Sequence, residues 1–246
     1  MKTSVPFNKK ASLIISILLM ITGEITANKN NTAFAHITRY EVKPQQVEEF
    51  KKTLSNYVTH ALANKNNIMA EAYYEQDKPT VLWLIERWND KSQYDAFTKN
   101  EQANKVTSLS KKSLTQPVKE YLLKDLEPLT KEQWRKTSKK EDNQIVIMLF
   151  VDAKAGTQQN FKDTYHIAMP QFRGEPGVVT YQLSEIEGDG THFVTFEKFR
   201  GQDAFQYHLN FPPIQPVIDY LNTSIQEQPF QKGLHTLIEF APMTRE

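Results

Sequence analysis

Two glutamates, Glu86 and Glu197, stand in apolar, strand-like runs, each two residues before an aromatic side chain, Trp88 or Phe199. Side chains two apart on a strand share a face, so each carboxylate lies beside its aromatic among apolar neighbours. An unpaired carboxylate there is expensive. Such a group is either held by a helix amide or a basic side chain, or is placed to move a proton, and the sequence leaves both open. His208 lies in a helical stretch. A histidine near its reference pKa can take a phenolic proton around neutral pH; a partly exposed helix position is the alternative. His36, His60, His166, His192 and His235 show no metal-ligand spacing such as a helical pair with an acid between, so no structural metal is expected. There is no glycine-rich phosphate loop, Ser-His-Asp arrangement or dinucleotide fingerprint, and Gly188-Asp189-Gly190 reads as a hairpin turn. The absence of cysteine excludes disulfides, thiolate metal sites and a cysteine nucleophile.

The elements that must position these residues come as a repeat. Leu84-Ile85-Glu86-Arg87-Trp88 returns as Thr195-Phe196-Glu197-Lys198-Phe199, an offset of 111 from Glu86 to Glu197 that also carries Phe50 onto Phe161 and Tyr94 onto Phe205. A repeat that holds register across helix-like and strand-like segments implies two copies of one small domain. In the first copy, a strand from Ala33 to Tyr40 precedes a helix whose apolar line is Val47, Phe50, Leu54, Tyr57, Val58 and Ala61. Strand-like runs follow at 68–75 and 80–88, then helical stretches from Asp90 toward Lys112 and a last strand at 117–126. The order βαββαβ is a split βαβ, or ferredoxin-like, unit. The second copy has strand 145–151, a helix with Phe161, Tyr165, Ala168, Met169 and Phe172 on one line, and a stop at Glu175-Pro176-Gly177. A hairpin at 178–199, a helical segment at 202–226 broken by Pro212, Pro213 and Pro216, and a strand at 230–240 complete it.

The hairpin strand of the first copy is apolar on both faces, with Leu82, Leu84 and Trp88 on one and Val81, Trp83 and Ile85 on the other. Such a sheet must be covered twice. Helices of the same copy cover one face, and the sheet of the other copy is expected to cover the second, giving an intramolecular pseudo-dimer around a shared barrel-like core.

At 39% hydrophobic and 24% charged, with a formal charge of +1, the chain reads as an ordinary globular protein with no electrostatic invitation to nucleic acid. Lys9 and Lys10 precede an apolar run from Ala11 to Ile21, followed by Gly23 and Ala27. This predicts a signal peptide over 1–27, an exported protein, periplasmic or extracellular, and no membrane association after cleavage. The expected divisions are then 33–129 for the first domain, 130–142 for a linker and 143–241 for the second domain. The linker, rich in Lys and Glu with a single Trp134, reads as a solvated connection.

The second copy's order of Lys154-Ala155-Gly156, amphipathic helix, Glu175-Pro176-Gly177, Tyr181, Phe196-Glu197-Lys198-Phe199 and Ala204-Phe205-Gln206-Tyr207-His208-Leu209 resembles the antibiotic biosynthesis monooxygenase family. That family's pattern is a Glu-Pro-Gly helix stop, a Tyr on the next strand, Glu-x-Trp on the third and Ala-Phe-x-x-His-Leu on the second helix. The first copy matches through Val42-Lys43-Pro44, Phe50, Glu86-Arg87-Trp88 and Tyr94, but has Asn64-Lys65-Asn66, Ala70 and Phe97 where Glu-Pro-Gly, the tyrosine and the histidine fall.

The resemblance implies a dimeric α+β barrel, here within one chain, and oxygenation of a small aromatic such as a quinol or anthrone by dioxygen without metal or flavin. It implies His208, Tyr181 and Glu197 as catalytic residues, with Phe199, Phe205, Tyr165, Trp88 and Glu86 lining pockets, the first domain's pocket being degenerate. Two other readings stand beside it: a non-catalytic ligand-binding or structural module, and a haem-binding or haem-degrading protein. The haem-degrading branch needs an asparagine on the first strand, where Thr38 and Leu149 stand here. Oligomerisation beyond the pseudo-dimer is left open.

Overall fold

The computed structural model describes residues 33–242, so the expected signal peptide lies outside the described residues. The first copy consists of β1 (Phe34–Glu41), α1 (Val47–Ala63), β2 (Asn67–Glu75), β3 (Val81–Trp88), α2 (Lys91–Phe97), α3 (Glu101–Ser113) and β4 (Lys119–Leu126). A short helix, α4 (Lys131–Trp134), follows. The second copy consists of β5 (Ile145–Asp152), α5 (Gln158–Arg173), β6 (Val178–Ile186), β7 (His192–Phe199), α6 (Gln202–Asn210), α7 (Gln215–Thr223) and β8 (Leu234–Ala241).

Local chemistry sets the element ends. Pro44 opens a 3-10 turn that leads into α1, whose Val47, Phe50, Leu54, Tyr57, Val58 and Ala61 are buried. The Asp90 and Asn100 side chains accept from the Gln93 and Ala103 amides and cap α2 and α3. The offset of 111 holds for three strand pairs, Phe34 to Ile145, Asn67 to Val178 and Val81 to His192. It lapses after α6, where the second copy inserts one 3-10 turn before α7 and another before β8.

The strands close into one barrel in the order β1-β3-β2-β8-β5-β7-β6-β4. Each copy contributes a four-stranded sheet, and the antiparallel seams β2–β8 and β4–β6 join them. β3 is buried at every position. Leu82, Leu84 and Trp88 pack under α1, α2 and α3, whereas Val81, Trp83 and Ile85 meet Met148, Val194, Phe196 and Leu237 inside the barrel. The doubly apolar strand thus has its two covers, one of helices and one of the opposite sheet.

Charges also enter the interior. Arg87 and Lys198 occupy the same repeat position; Arg87 makes a bidentate contact with Asp125 (2.9 and 3.1 Å), and Lys198 lies 2.8 Å from Glu71 and 3.4 Å from Glu239. All are buried or nearly so, as pairing requires of interior charge.

The linker departs from the expectation of a solvated connection. Thr130 and Gln133 form a capping box on α4, and Trp134 is 2% exposed, with the Arg87 guanidinium 4.5 Å from its ring and Phe196 6.3 Å away. Arg135 donates to the carbonyls of Leu62, Asn67 and Ile68, fastening the segment to the end of α1 and the start of β2. One indole outweighs the surrounding lysines because its burial contributes about 2–3 kcal/mol, while the lysines stay in water at little cost.

Candidate functional site

The second copy's site is assembled by a turn and a helix. Gly177, at φ +86°, follows α5 in a left-handed conformation, and a Cβ there would fall 2.5 Å from the Ala204 Cβ. Glycine therefore serves twice, in the turn and in the close approach of α6. The same turn carries Glu175, whose Oε1 lies 2.9 Å from His208 Nδ1 on α6. Both side chains are buried, and Glu175 Oε2 is buried without a hydrogen-bond partner. The His208 ring packs against Phe172, Tyr181 and Phe199 at 4.9–5.4 Å between centroids.

On the strand side, Glu197 accepts from Thr195 Oγ1 at 2.8 Å and from the Tyr181 hydroxyl, which is itself hydrogen-bonded to Tyr165. His208, Tyr181, Glu197, Tyr165 and Phe205 all line one apolar cavity of about 70 Å³. Phe199 supports it from behind His208 and Phe205.

Burial governs the protons here. It pushes Glu197 up to about 7 against the pull of the Thr195 and Tyr181 hydrogen bonds, and pushes Glu175 up to about 7 with help from the Glu197 charge. It lowers His208 to about 4. The expectation of a histidine near its reference pKa is corrected by α6, α7 and the turn between them, whose Leu209, Ile214, Val217 and Leu221 make the surroundings dry. Around neutral pH His208 is uncharged, and the better proton acceptors are the two glutamates.

Glu86 and Trp88 lie in the other copy's site. The Glu86 carboxylate is fully buried and accepts from Tyr57 (3.1 Å to each oxygen) and from Trp88 Nε1 (3.1 Å). His36 Nε2 lies 3.2 Å from Oε2, at an angle outside hydrogen-bond geometry. Trp88 is thus a donor to the carboxylate. Where the second copy has Phe199, which cannot donate, Thr195 and Tyr181 take over. Tyr40, Tyr57 and Tyr94 face a cavity of about 390 Å³ together with Glu86 and Glu120. Burial, then the Glu86 charge, raises all three phenols and keeps them protonated.

The degenerate first copy therefore holds the roomier cavity, and the copy with the fuller motif holds the tighter one. Sequence reasoning missed Glu175 as a partner of His208, although its motif was visible as a helix stop. It also missed Tyr57, a polar ring on the apolar line of α1, and His36, whose contact with Glu86 joins two strands far apart in sequence. The cavity beside His208, about 70 Å³, is far below the 300–1,000 Å³ typical of small-molecule and cofactor sites, so a ligand of that size enters only if the cavity walls move. Among the described residues, no three His, Cys, Asp or Glu side chains cluster as metal ligands.

Residues 33–107 and 144–218 each match the profile of the antibiotic biosynthesis monooxygenase family. The chain belongs to that family, with two tandem units. Among solved structures, a candidate monooxygenase from Lactobacillus acidophilus NCFM is similar at a TM-score of 0.70 and 14% identity, over 85% of this chain and 94% of that one. One from Fusobacterium nucleatum subsp. nucleatum ATCC 25586 is similar at 0.71 and 14%, over 85% and 93%. An anthrone oxidase-like protein is similar at 0.56 and 7%, over 88% and 97%. At such identities the likeness is one of fold, the two-copy barrel. No curated protein sequence matches the chain.

Proposed function

We propose that the protein is an exported monooxygenase that oxygenates a small electron-rich aromatic, a quinol or an anthrone, with dioxygen and without metal or flavin, in the second copy's cavity. The observation that carries this is the convergence of Glu197, Tyr181 and His208, the last backed by Glu175, on one apolar cavity. Family membership supports the reaction class, and the basic-then-apolar run before Ala27 supports export.

For an anthrone, a ring methylene loses a proton and the resulting enolate gives an electron to dioxygen. Recombination of the two radicals forms a C–O bond, and loss of water from the hydroperoxide leaves a ketone. One oxygen atom stays in the product and the other leaves as water. His208 holds its Nδ1 toward Glu175, which leaves Nε2 to receive the substrate proton. Because burial disfavours imidazolium and favours a protonated Glu175, the proton can pass through the ring to the glutamate without creating a buried ion. Tyr181, whose hydroxyl hydrogen goes to Glu197, presents its oxygen lone pair to accept a hydrogen bond from a substrate hydroxyl. The apolar walls keep water from the radical pair. A substrate needs more room than about 70 Å³, and Leu209, which lines the cavity yet is 44% exposed, marks α6 as the element that must give way.

The test is oxygen consumption by the purified mature protein with a panel of quinols and anthrones, run beside His208→Ala. Uptake that disappears in the variant supports the reading. No uptake above the uncatalysed background overturns it in favour of a ligand-binding module. That second reading is favoured by one observation: the roomier cavity belongs to the first copy, which has Asn64 and Phe97 in place of Glu175 and His208.

A further inference from the structure

The two ends of the barrel differ. At one end α4 covers the opening with Trp134, stacked on Arg87. At the other end a cavity of about 510 Å³ is lined by side chains from seven of the eight strands, β1 and β3 to β8, and by the turn before β8. It is larger than the cavity of either copy and lies at the mouth of the barrel, a common place for small ligands.

The walls of this mouth are aromatic. Trp83, 1% exposed, has Phe150 at 5.9 Å, Tyr121 at 6.2 Å and His235 at 5.5 Å between ring centroids, and Tyr121 and Phe150 are 5.1 Å apart. Glu75 pins two of these rings, accepting from Trp83 Nε1 at 3.0 Å and lying 3.1 Å from His235 Nδ1. The rim is cationic. Arg39 is matched by Glu41 at 2.6 Å, and the Asp152 carboxylate, which also lines the mouth, lies 2.5 Å from His192 Nδ1. Lys119, 4.9 Å from the Tyr121 ring centroid, and Lys232 have no carboxylate partner among the described residues. The turn that carries Lys232 is pressed onto β5, since a Cβ at the adjoining Gly233 would fall 2.1 Å from the Phe150 carbonyl oxygen. The backbone of the turn is thereby fixed beside the aromatic walls, and Lys232 lines the mouth from it.

A slot of fixed rings with two ammonium groups at its rim against the single Asp152 carboxylate suits a flat aromatic body bearing one negative charge. We infer that the open barrel mouth binds a small aromatic carboxylate, at a site separate from the cavities beneath the helices. This stands independently of the proposed oxygenation.

The chain's three tryptophans report on three places: Trp83 at the mouth, Trp88 beside the first copy's cavity and Trp134 at the covered end. The experiment is a titration of the full-length protein with 2-naphthoate, and separately with its neutral isostere 2-naphthamide, followed by indole N–H signals in 1H–15N spectra. Single Trp→Phe variants assign the signals. The expected result is saturable movement of the Trp83 signal alone, with 2-naphthoate binding about tenfold more tightly than the amide and losing that preference in K119E/K232E. Both lysines are exposed, so the variant keeps its fold. Absence of saturable binding, movement of the Trp88 or Trp134 signal instead, or equal affinity for acid and amide would overturn the inference.

Discussion

Glu175 Oε1 lies 2.9 Å from His208 Nδ1, and the first copy lacks both members of the pair, with Asn64 and Phe97 in their places. Each needs the other. A buried histidine with no acceptor at Nδ1, or a buried carboxylate with no donor, would cost about 1–3 kcal/mol. Glu175→Gln keeps a hydrogen bond to the ring but cannot take a proton. It is expected to fold as the parent does and to lower substrate-dependent oxygen uptake by about 10²-fold, with Glu175→Gln/His208→Ala no worse than the worse single variant. Rates of the four proteins on one oxygen electrode decide this; additive losses would separate the two residues.

Glu197 gives a pH prediction. Its folded pKa, raised from 4.5 to about 7, favours the protonated form in the native state. That stabilisation is fully present below the unfolded value and is lost as pH rises through about 7, at most about 3 kcal/mol. Glu197→Gln removes this titration. The stability of the variant relative to the parent should therefore climb between pH 5 and pH 8. His208, depressed to about 4, works in the opposite sense, losing stability as pH falls from 6.5 through 4, but it is common to both proteins. Urea unfolding at the two pH values measures the difference, and a constant gap would show that burial does not govern this carboxylate.

Much of the architecture was legible because it was written twice and because β3 is apolar on both faces. A strand with two dry faces and a constant offset leaves few options other than a closed pair of sheets. The site was legible only in part. Tyr181, Glu197 and His208 could be placed in one pocket from the family's order of motifs, but the state of their protons could not, because much of the dryness around His208 comes from the turn after α6 and from α7, a stretch that three prolines interrupt. Glu175 was visible as a helix stop, and its second task depends on how closely α6 approaches Gly177. Trp134 was hidden by composition, since lysines and glutamates around an indole look alike whether it is docked or free.

Docking of the linker is tested by Trp134→Ala. The change removes a buried indole and leaves the Arg87 guanidinium, whose Nη1 already has no hydrogen-bond partner, beside an empty space. The expected loss is about 3–5 kcal/mol. Chemical unfolding of parent and variant measures it, and a change within about 0.5 kcal/mol, as at an ordinary surface position, would return the linker to solvent.

The barrel also predicts how half the chain behaves alone. A fragment of residues 143–246 keeps β5–β7, β6–β7 and β5–β8 but loses the β4–β6 and β2–β8 seams. It exposes two unpaired strand edges together with Val146, Met148, Val194, Phe196 and Leu237, which the first copy's sheet covers in the whole protein. Open edges and an uncovered apolar face both favour association. The pseudo-symmetry of the copies offers the fragment a second copy of itself as the nearest substitute for its lost partner. In sedimentation it should run as a dimer or as larger aggregates down to micromolar concentration. A folded, well-behaved monomer would mean that the second copy's sheet is stable with its inner face in water, and that the shared interior is a consequence of the tandem chain rather than what holds it together.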